Sequence, residues 1–152
     1  MSRAFVKEQD TVDELPERLI SDHANLVTPQ GLAQIEAEVQ RFDAAHAAAQ
    51  VAGDRDAMAA TARDLRYWSS RLASAELVPS PADSTHLQFG STVTIEREDG
   101  RRQTYRIVGE DEADPAKGSI SYVSPLAAQL VGKAIGDTIK VAGADAEIVA
   151  IS

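Results

Sequence analysis

The 152-residue sequence contains no cysteine, which excludes disulfide bonds, thiol catalysis and cysteine-ligated zinc. Aromatic residues make up only 5% of it, so any core must be built from Ala, Leu, Ile and Val. No apolar run approaches the roughly 18 residues of a membrane helix, and the first 14 residues lack the apolar stretch of a signal peptide. We therefore expect a cytoplasmic protein with no membrane partner.

Positive charge is also scarce. The sequence has 15 Lys and Arg residues against 24 Asp and Glu residues, a net charge of −9 at pH 7. The basic residues are spread along the chain and form no basic patch, so long-range attraction to nucleic-acid phosphates is not available as a driving force. Any nucleic acid that this protein acts on is expected to be presented by a partner protein.

The first half of the chain carries two helical patterns. Thr28 is a predicted N-cap and Pro29 occupies the first helical position, which predicts a helix over residues 29–51. Its apolar positions alternate in steps of three and four, as in a heptad seam. The seam of this helix contains Leu32, Ile35, Val39, Phe42, His46 and Ala49, and that of a second helix, after Gly53-Asp54, contains Met58, Leu65, Trp68, Leu72 and Ala75.

Two helices joined by so short a turn must fold back antiparallel. Neither has a second apolar face, so residues 28–78 are predicted to project as a two-stranded coiled coil. His46 is predicted to be a buried polar residue of the seam. A solvated face with ion pairs inside the hairpin is predicted for the arginines, with steering of RNA as the alternative. These are Arg55, Arg63, Arg66 and Arg71.

The segment before the hairpin, residues 1–27, is polar and has no periodicity. It contains Pro16 and few large side chains, which favours a flexible arm. A few apolar residues could nevertheless dock locally. These are Phe5, Leu15, Leu19 and Ile20.

The apolar period changes to two after residue 79, which is typical of strands. The predicted strands cover residues 89–96, 103–108, 119–123, 138–141 and 146–151. Ser124 is a predicted N-cap and Pro125 the first residue of a short helix that extends to residue 131. Residues 79–152 are therefore predicted to form an antiparallel sheet covered on one face by the helix, and the fold class is α+β.

Several short motifs in this half occur together and in order. They are Phe89-Gly90, Asp99-Gly100, Tyr105-Arg106-Ile107-Val108-Gly109, Ser124-Pro125, Gly132-Lys133 and Gly136-Asp137, and the connection between the two helices reads Gly53-Asp54-Arg55-Asp56-Ala57. With these motifs, the segment from Phe89 to Asp137 resembles the C-terminal domain of the bacterial Gre transcript-cleavage factors, and the resemblance extends over residues 27–151. It implies an FKBP-like domain preceded by an antiparallel helical hairpin with a GD-containing acidic tip.

The resemblance implies a partner and a mechanism. The C-terminal domain would dock at the rim of the secondary channel of RNA polymerase, and the hairpin would enter the channel tip-first. Asp54 and Asp56 would then assist a second Mg²⁺ at the polymerase active site. The residues themselves leave an alternative open, in which Asp54 is only the N-cap of the second helix and Asp56 is a first-turn acid favoured by the helix dipole. The protein would be a monomer with no cofactor of its own, would not be an enzyme, and would meet nascent RNA indirectly. The docking surface would contain Val123, Ser124, Pro125 and Leu126.

The sequence departs from the family pattern at three points. Ala57 stands where the family usually has a second acid, and Val123 where an acidic or amide residue is frequent. Each helix is also roughly nine residues shorter, about 14 Å less reach. Two functions stay open: a transcript-cleavage factor, or a secondary-channel regulator without cleavage activity, similar to short-hairpin relatives once linked to nucleoside diphosphate kinase regulation. A stand-alone prolyl isomerase is a third alternative.

Overall fold

The computed structural model describes residues 15–152, so the predictions for residues 1–14 lie outside the described part. The chain folds as two compact units. One contains Ala33–Ser74 and the described residues up to Asp22, and the other contains His23–Leu32 and Ala75–Ser152. The predicted boundaries at residues 27 and 78 stay predictions.

The helical hairpin is confirmed. Helix α1 spans Pro29–Ala52 and helix α2 spans Arg55–Ser74, with Gly53 and Asp54 between them. The Nδ1 atom of His46 on α1 lies 3.0 Å from the Oγ1 atom of Thr61 on α2. Both residues stand about two turns from the connection, as they must when two helices run antiparallel. No helix formed by residues 15–152 is long and apolar enough to cross a bilayer.

The seam of the hairpin is covered unevenly. Ile35 and Ala49 are buried, whereas His46 is half-buried. Arg71 is only 2% exposed, so the prediction of a solvated arginine is wrong at this position. Arg71 follows Trp68 by three residues and precedes Ala75 by four, which places it on the seam side of α2.

The second unit holds a five-stranded sheet formed by β3 (Thr92–Arg97), β4 (Arg102–Val108), β5 (Ser119–Ser121), β6 (Thr138–Val141) and β7 (Ala144–Ile151). The strands lie in the order β5-β4-β3-β7-β6. The predicted antiparallel sheet is correct for every pair except β4 and β5, which are parallel. The connection from residue 109 to 118, with its 3-10 turn at Pro115–Lys117, is long enough to return the chain to the same end of the sheet.

One face of this sheet carries the core. The short helix α3, Pro125–Leu130, contributes Ala127 and Leu130 to it. Alternate residues of the strands point to the same face, and ten buried residues form one apolar cluster. The cluster contains Leu87, Val93, Ile95, Ile107, Ile120, Ala127, Leu130, Ile139, Ala146 and Ile148. The predicted α+β architecture, a hairpin followed by a small β-rich domain, is confirmed.

Two short strands flank the hairpin. Strand β1, Leu26–Val27, precedes α1, and strand β2, Glu76–Leu77, follows α2. They pair in parallel, with Leu26 opposite Glu76 and Val27 opposite Leu77. The chain therefore enters and leaves the hairpin side by side, a pairing that the sequence analysis did not predict.

Candidate functional site at the hairpin tip

In the connection between α1 and α2, the C-terminal cap of the first helix is followed directly by the N-terminal cap of the second. The N–H of Gly53 donates to the carbonyl of Gln50 at 3.2 Å, and the N–H of Asp54 donates to that of Ala49 at 3.1 Å. Gly53 has φ of +66°. This pair of bonds with a left-handed glycine is the Schellman arrangement, which satisfies carbonyls at the end of a helix. The tip is thus a defined turn and not a loose loop.

Asp54 also begins the second helix. Its Oδ1 atom accepts a hydrogen bond from the N–H of Ala57 at 3.1 Å, and its carbonyl accepts from Met58 at 2.9 Å. Asp54 is therefore the N-cap of α2. The residue is exposed, so its carboxylate faces solvent at the very end of the hairpin while one oxygen serves the cap.

The other tip residues differ in their surroundings. Asp56 is exposed in the first turn of α2, where the helix dipole favours an acid. Ala57, at the position where the resemblance implies a second acid, is half-buried. The tip therefore offers two exposed carboxylates, Asp54 before the helix and Asp56 within it. Residues 15–152 contain no group of three or more His, Cys, Asp or Glu side chains that could hold a metal ion.

The predicted docking residues lie at the start of α3. The Oγ atom of Ser124 accepts a hydrogen bond from the N–H of Ala127 at 3.2 Å, so the predicted N-cap is confirmed. Pro125 is exposed, whereas Val123 and Leu126 are half-buried, and Leu126 packs against the core. Whether these residues contact a polymerase stays a prediction.

The start of α1 holds a polar cluster that the sequence analysis did not predict. Thr28 is the N-cap of α1, as predicted, since its Oγ1 atom accepts from the N–H of Gly31 at 2.9 Å. The same hydroxyl donates to Oε1 of Glu112. A Cβ atom on Gly31 would lie 2.8 Å from that carboxylate oxygen. Glycine at position 31 therefore leaves room for the Glu112 side chain beside the helix start.

Further long-range bonds attach residues 23–32 to the β-rich domain. Nη2 of Arg106 donates to Oε1 of Gln30 at 3.1 Å, and the hydroxyl of Tyr122 donates to the carbonyl of Ala24. These partners are 76 and 98 residues apart in sequence, so no local pattern could have indicated them.

Fold and site together define a class of protein, in which an antiparallel helical hairpin with an exposed acidic tip precedes a small β-rich domain. A family model described as the C-terminal domain of transcription elongation factor GreA/GreB matches residues 82–152. Transcription elongation factor GreB of Pseudomonas aeruginosa is 39% identical over 127 residues, which cover 71% of this chain and 76% of that protein. The chain belongs to the GreA/GreB family of transcription elongation factors.

Other relatives match over a shorter range. Transcription elongation factor GreA of Magnetococcus marinus is 47% identical over 72 residues, 46% of each chain, so the alignment spans about half of that protein.

Among solved structures, the GreA/GreB factor of Nitrosomonas europaea has a TM-score of 0.42 at 21% identity, over 84% of this chain and 98% of its own. The GreA factor homolog Gfh1 of Thermus thermophilus also has a TM-score of 0.42, at 18% identity, over 86% and 99%.

Proposed function

We propose that this protein binds RNA polymerase at the secondary channel and stimulates cleavage of backtracked RNA through its hairpin tip. The observation that carries the proposal is the exposed carboxylate of Asp54, held at the end of an antiparallel hairpin in a member of the GreA/GreB family. The Schellman turn and the N-cap fix the backbone on both sides of Asp54. A carboxylate presented by a rigid turn loses little conformational freedom when it binds a ligand.

Mg²⁺ fits the chemistry of this tip because it prefers oxygen ligands and is usually held by one or two carboxylates. Asp54 would supply an oxygen, with Asp56 as the second candidate. A tip with so few ligands depends on the polymerase for the remainder of the metal site. When bound, the ion would activate water and stabilise the leaving oxygen.

In this proposal the hydrolysis belongs to the polymerase, and the protein contributes a ligand. Nascent RNA is met indirectly, through the polymerase. The net charge of −9 fits this arrangement because free RNA would be repelled. We place the protein in the cytoplasm as a monomer.

The β-rich domain is proposed to dock at the rim of the channel. Pro125 is its exposed residue at the start of α3, between the Ser124 cap and the packed side chain of Leu126. Substituting Pro125→Glu should weaken polymerase binding without unfolding the domain, since position 125 is exposed and its N–H would not be needed by the helix. Competition with a labelled Gre factor for the polymerase measures the change.

A second function is favoured by specific observations on the tip. Helix α1 has 24 residues, about 36 Å at the helical rise, and Ala57 replaces the second acid. One carboxylate oxygen of Asp54 is already used by the cap. The alternative is a regulator that occupies the secondary channel without stimulating cleavage.

The test is RNA cleavage by a backtracked elongation complex of the cognate polymerase, in Mg²⁺, with and without the protein. Faster release of short 3′ fragments supports the cleavage factor. No stimulation, combined with competition against a Gre factor, supports the channel regulator. Absence of both effects contradicts the proposed function altogether.

The role of Asp54 needs a variant that keeps the cap. Asp54→Ser removes the charge, but serine caps helices about as well as aspartate, so α2 should begin at the same residue. Cleavage should fall at least tenfold in this variant while polymerase binding is retained. Asp43→Asn is the matched control, because it removes one exposed acid from helix α1, away from the tip. Equal cleavage by Asp54→Ser and the unaltered protein would exclude Asp54 as a ligand.

A further inference from the structure

The residues before the hairpin contact helix α2. Residues 15–20 have no helix or strand, and they are called the strap below. Two adjacent members of the strap, Glu17 and Arg18, form polar contacts with α2 between Asp64 and Trp68. The partners Arg18 and Asp64 are 46 residues apart in sequence, and Glu17 and Arg66 are 49 apart. All four residues belong to one compact unit.

Glu17 binds Arg66 through both carboxylate oxygens. The Nε atom of Arg66 lies 2.9 Å from Oε1 and 3.1 Å from Oε2, and Nη2 lies 2.5 Å from Oε1. Such a fork of donors on one carboxylate is the geometry that gives Arg pairs their specificity. The hydrogen bond from Arg66 lowers the pKa of Glu17, and the same bond raises the pKa of Arg66. The two groups therefore favour each other's charged form.

Arg18 engages an acid and two rings. Its Nη1 atom lies 3.3 Å from Oδ1 of Asp64. Its Cζ atom lies 3.8 Å from the ring centroid of Tyr67 and 5.7 Å from that of Trp68, which is within the range of cation–π attraction. The two rings are themselves edge-to-face, with centroids 5.1 Å apart. The guanidinium of Arg18 thus lies over the aromatic pair of α2.

Apolar burial contributes little to this contact. Leu19 is 95% exposed, Ile20 47% and Leu15 38%. The side chains of the Glu17–Arg66 pair are also exposed, at 63% and 55%. Exposed ion pairs are weak, and salt weakens them further as the screening length falls from about 8 Å at physiological ionic strength to about 3 Å at 1 M. Attachment of the strap must therefore respond to ionic strength.

We propose that the strap is a releasable cover of the Tyr67–Trp68 pair, docked by Glu17 and Arg18 at low ionic strength and detached when their charges are screened. In the docked state, Arg18 covers the Tyr67 ring and Glu17 occupies the guanidinium of Arg66. In the released state, the two rings and Arg66 lose these contacts and become more accessible to solvent. The hairpin therefore has two states, which differ in whether Glu17 and Arg18 cover Arg66 and the two aromatic rings of α2.

Trp68 is the single tryptophan of the chain, so its fluorescence reports on this site. The experiment is acrylamide quenching of the full-length protein at about 20 mM and about 0.5 M NaCl. The quenching constant of Trp68 should rise roughly two-fold with salt. The double variant Glu17→Gln/Arg18→Gln should show the higher value at both salt concentrations. Equal values for the variant and the unaltered protein at low salt would overturn the proposal.

A charge swap and a matched control make the test specific. Glu17→Arg and Arg66→Glu should each raise quenching, and the two together should restore the protection by reversing the pair. Failure of the swap to restore it would show that this pair does not hold the strap. The control is Lys140→Gln/Asp145→Asn, which removes an ion pair from the other compact unit, where Nζ of Lys140 lies 2.5 Å from Oδ1 of Asp145. This double variant should leave the quenching of Trp68 unchanged. Circular dichroism of each variant establishes that the helices are intact.

Discussion

The Nδ1 atom of His46 and the Oγ1 atom of Thr61 lie 3.0 Å apart and join α1 to α2. The Thr61 hydroxyl donates its hydrogen to the carbonyl of Ala57 at 2.6 Å, so it accepts from His46. Nδ1 of His46 is therefore the donor in this contact. Thr61 also fills the gap that the sequence left between Met58 and Leu65, because steps of three and four continue the seam through it.

Removing the Thr61 hydroxyl should destabilise the hairpin. Thr61→Val keeps the shape of the side chain but leaves the Nδ1–H of His46 without this acceptor in a half-buried place, and we expect a loss of about 1 kcal/mol in the free energy of unfolding. Urea unfolding followed by circular dichroism measures it. The double variant His46→Leu/Thr61→Val should regain most of the loss, because both partners are then apolar. Equal losses in the single and double variants would contradict a coupling between the two residues.

The cap of α2 predicts how stability depends on residue 54. Asp54→Ala removes the acceptor for the Ala57 N–H and should cost about 1 kcal/mol of unfolding free energy, whereas Asp54→Ser should cost only a few tenths. Thermal unfolding distinguishes the two. A similar loss in both variants would mean that the charge of Asp54, and not its capping bond, stabilises the helix start.

Local signals explain which elements could be predicted. The start of α1 rests on Thr28-Pro29 and its end on Gly53, so the predicted end at residue 51 differs from the observed Ala52 by one residue. The N-cap at Ser124 and strand β6 were predicted with equal success. Each of these elements is indicated by residues close together in the sequence, which form a helix cap, a turn or a strand with a period of two.

Interactions between distant residues explain what could not be predicted. Strands β1 and β2 have two residues each, too few for any period to appear. Thr28 and Glu112 are 84 residues apart, and nothing near either residue indicates the other. The tip is the opposite case, because Gly53-Asp54 predicts a helix end followed by a new N-cap, and the bonds of Asp54 confirm it.

The pKa of Glu17 predicts how attachment of the strap depends on pH. The hydrogen bond from Arg66, with smaller contributions from the charges of Arg66 and Arg63, lowers this pKa from its ordinary value of 4.5. A lowered pKa means that the contribution of Glu17 is complete above 4.5 and is lost as the pH falls through the lower value. Acrylamide quenching of Trp68 should therefore be constant between pH 7 and 5 and should rise at more acidic pH.

The variant Glu17→Gln is the control for this titration. It should show the raised quenching already at pH 7, with a smaller change on acidification. Circular dichroism at each pH separates release of the strap from unfolding of the hairpin. An identical acid transition in both proteins would assign it to another carboxyl group.

Gly109 follows β4 and lies against the backbone before α1. A Cβ atom at this position would be 2.3 Å from the carbonyl oxygen of Leu26, and backbone cannot move aside as a flexible side chain can. Gly109→Ala should therefore reduce the free energy of unfolding by about 2–3 kcal/mol.

Gly31→Ala is the informative comparison, since its Cβ would meet the end of the Glu112 side chain at 2.8 Å, which can rotate away. We expect that variant to lose less than about 1 kcal/mol, partly offset by the better helix propensity of alanine. Urea unfolding of the two variants side by side measures the difference, and equal losses would show that the segment at Leu26 yields as readily as a side chain.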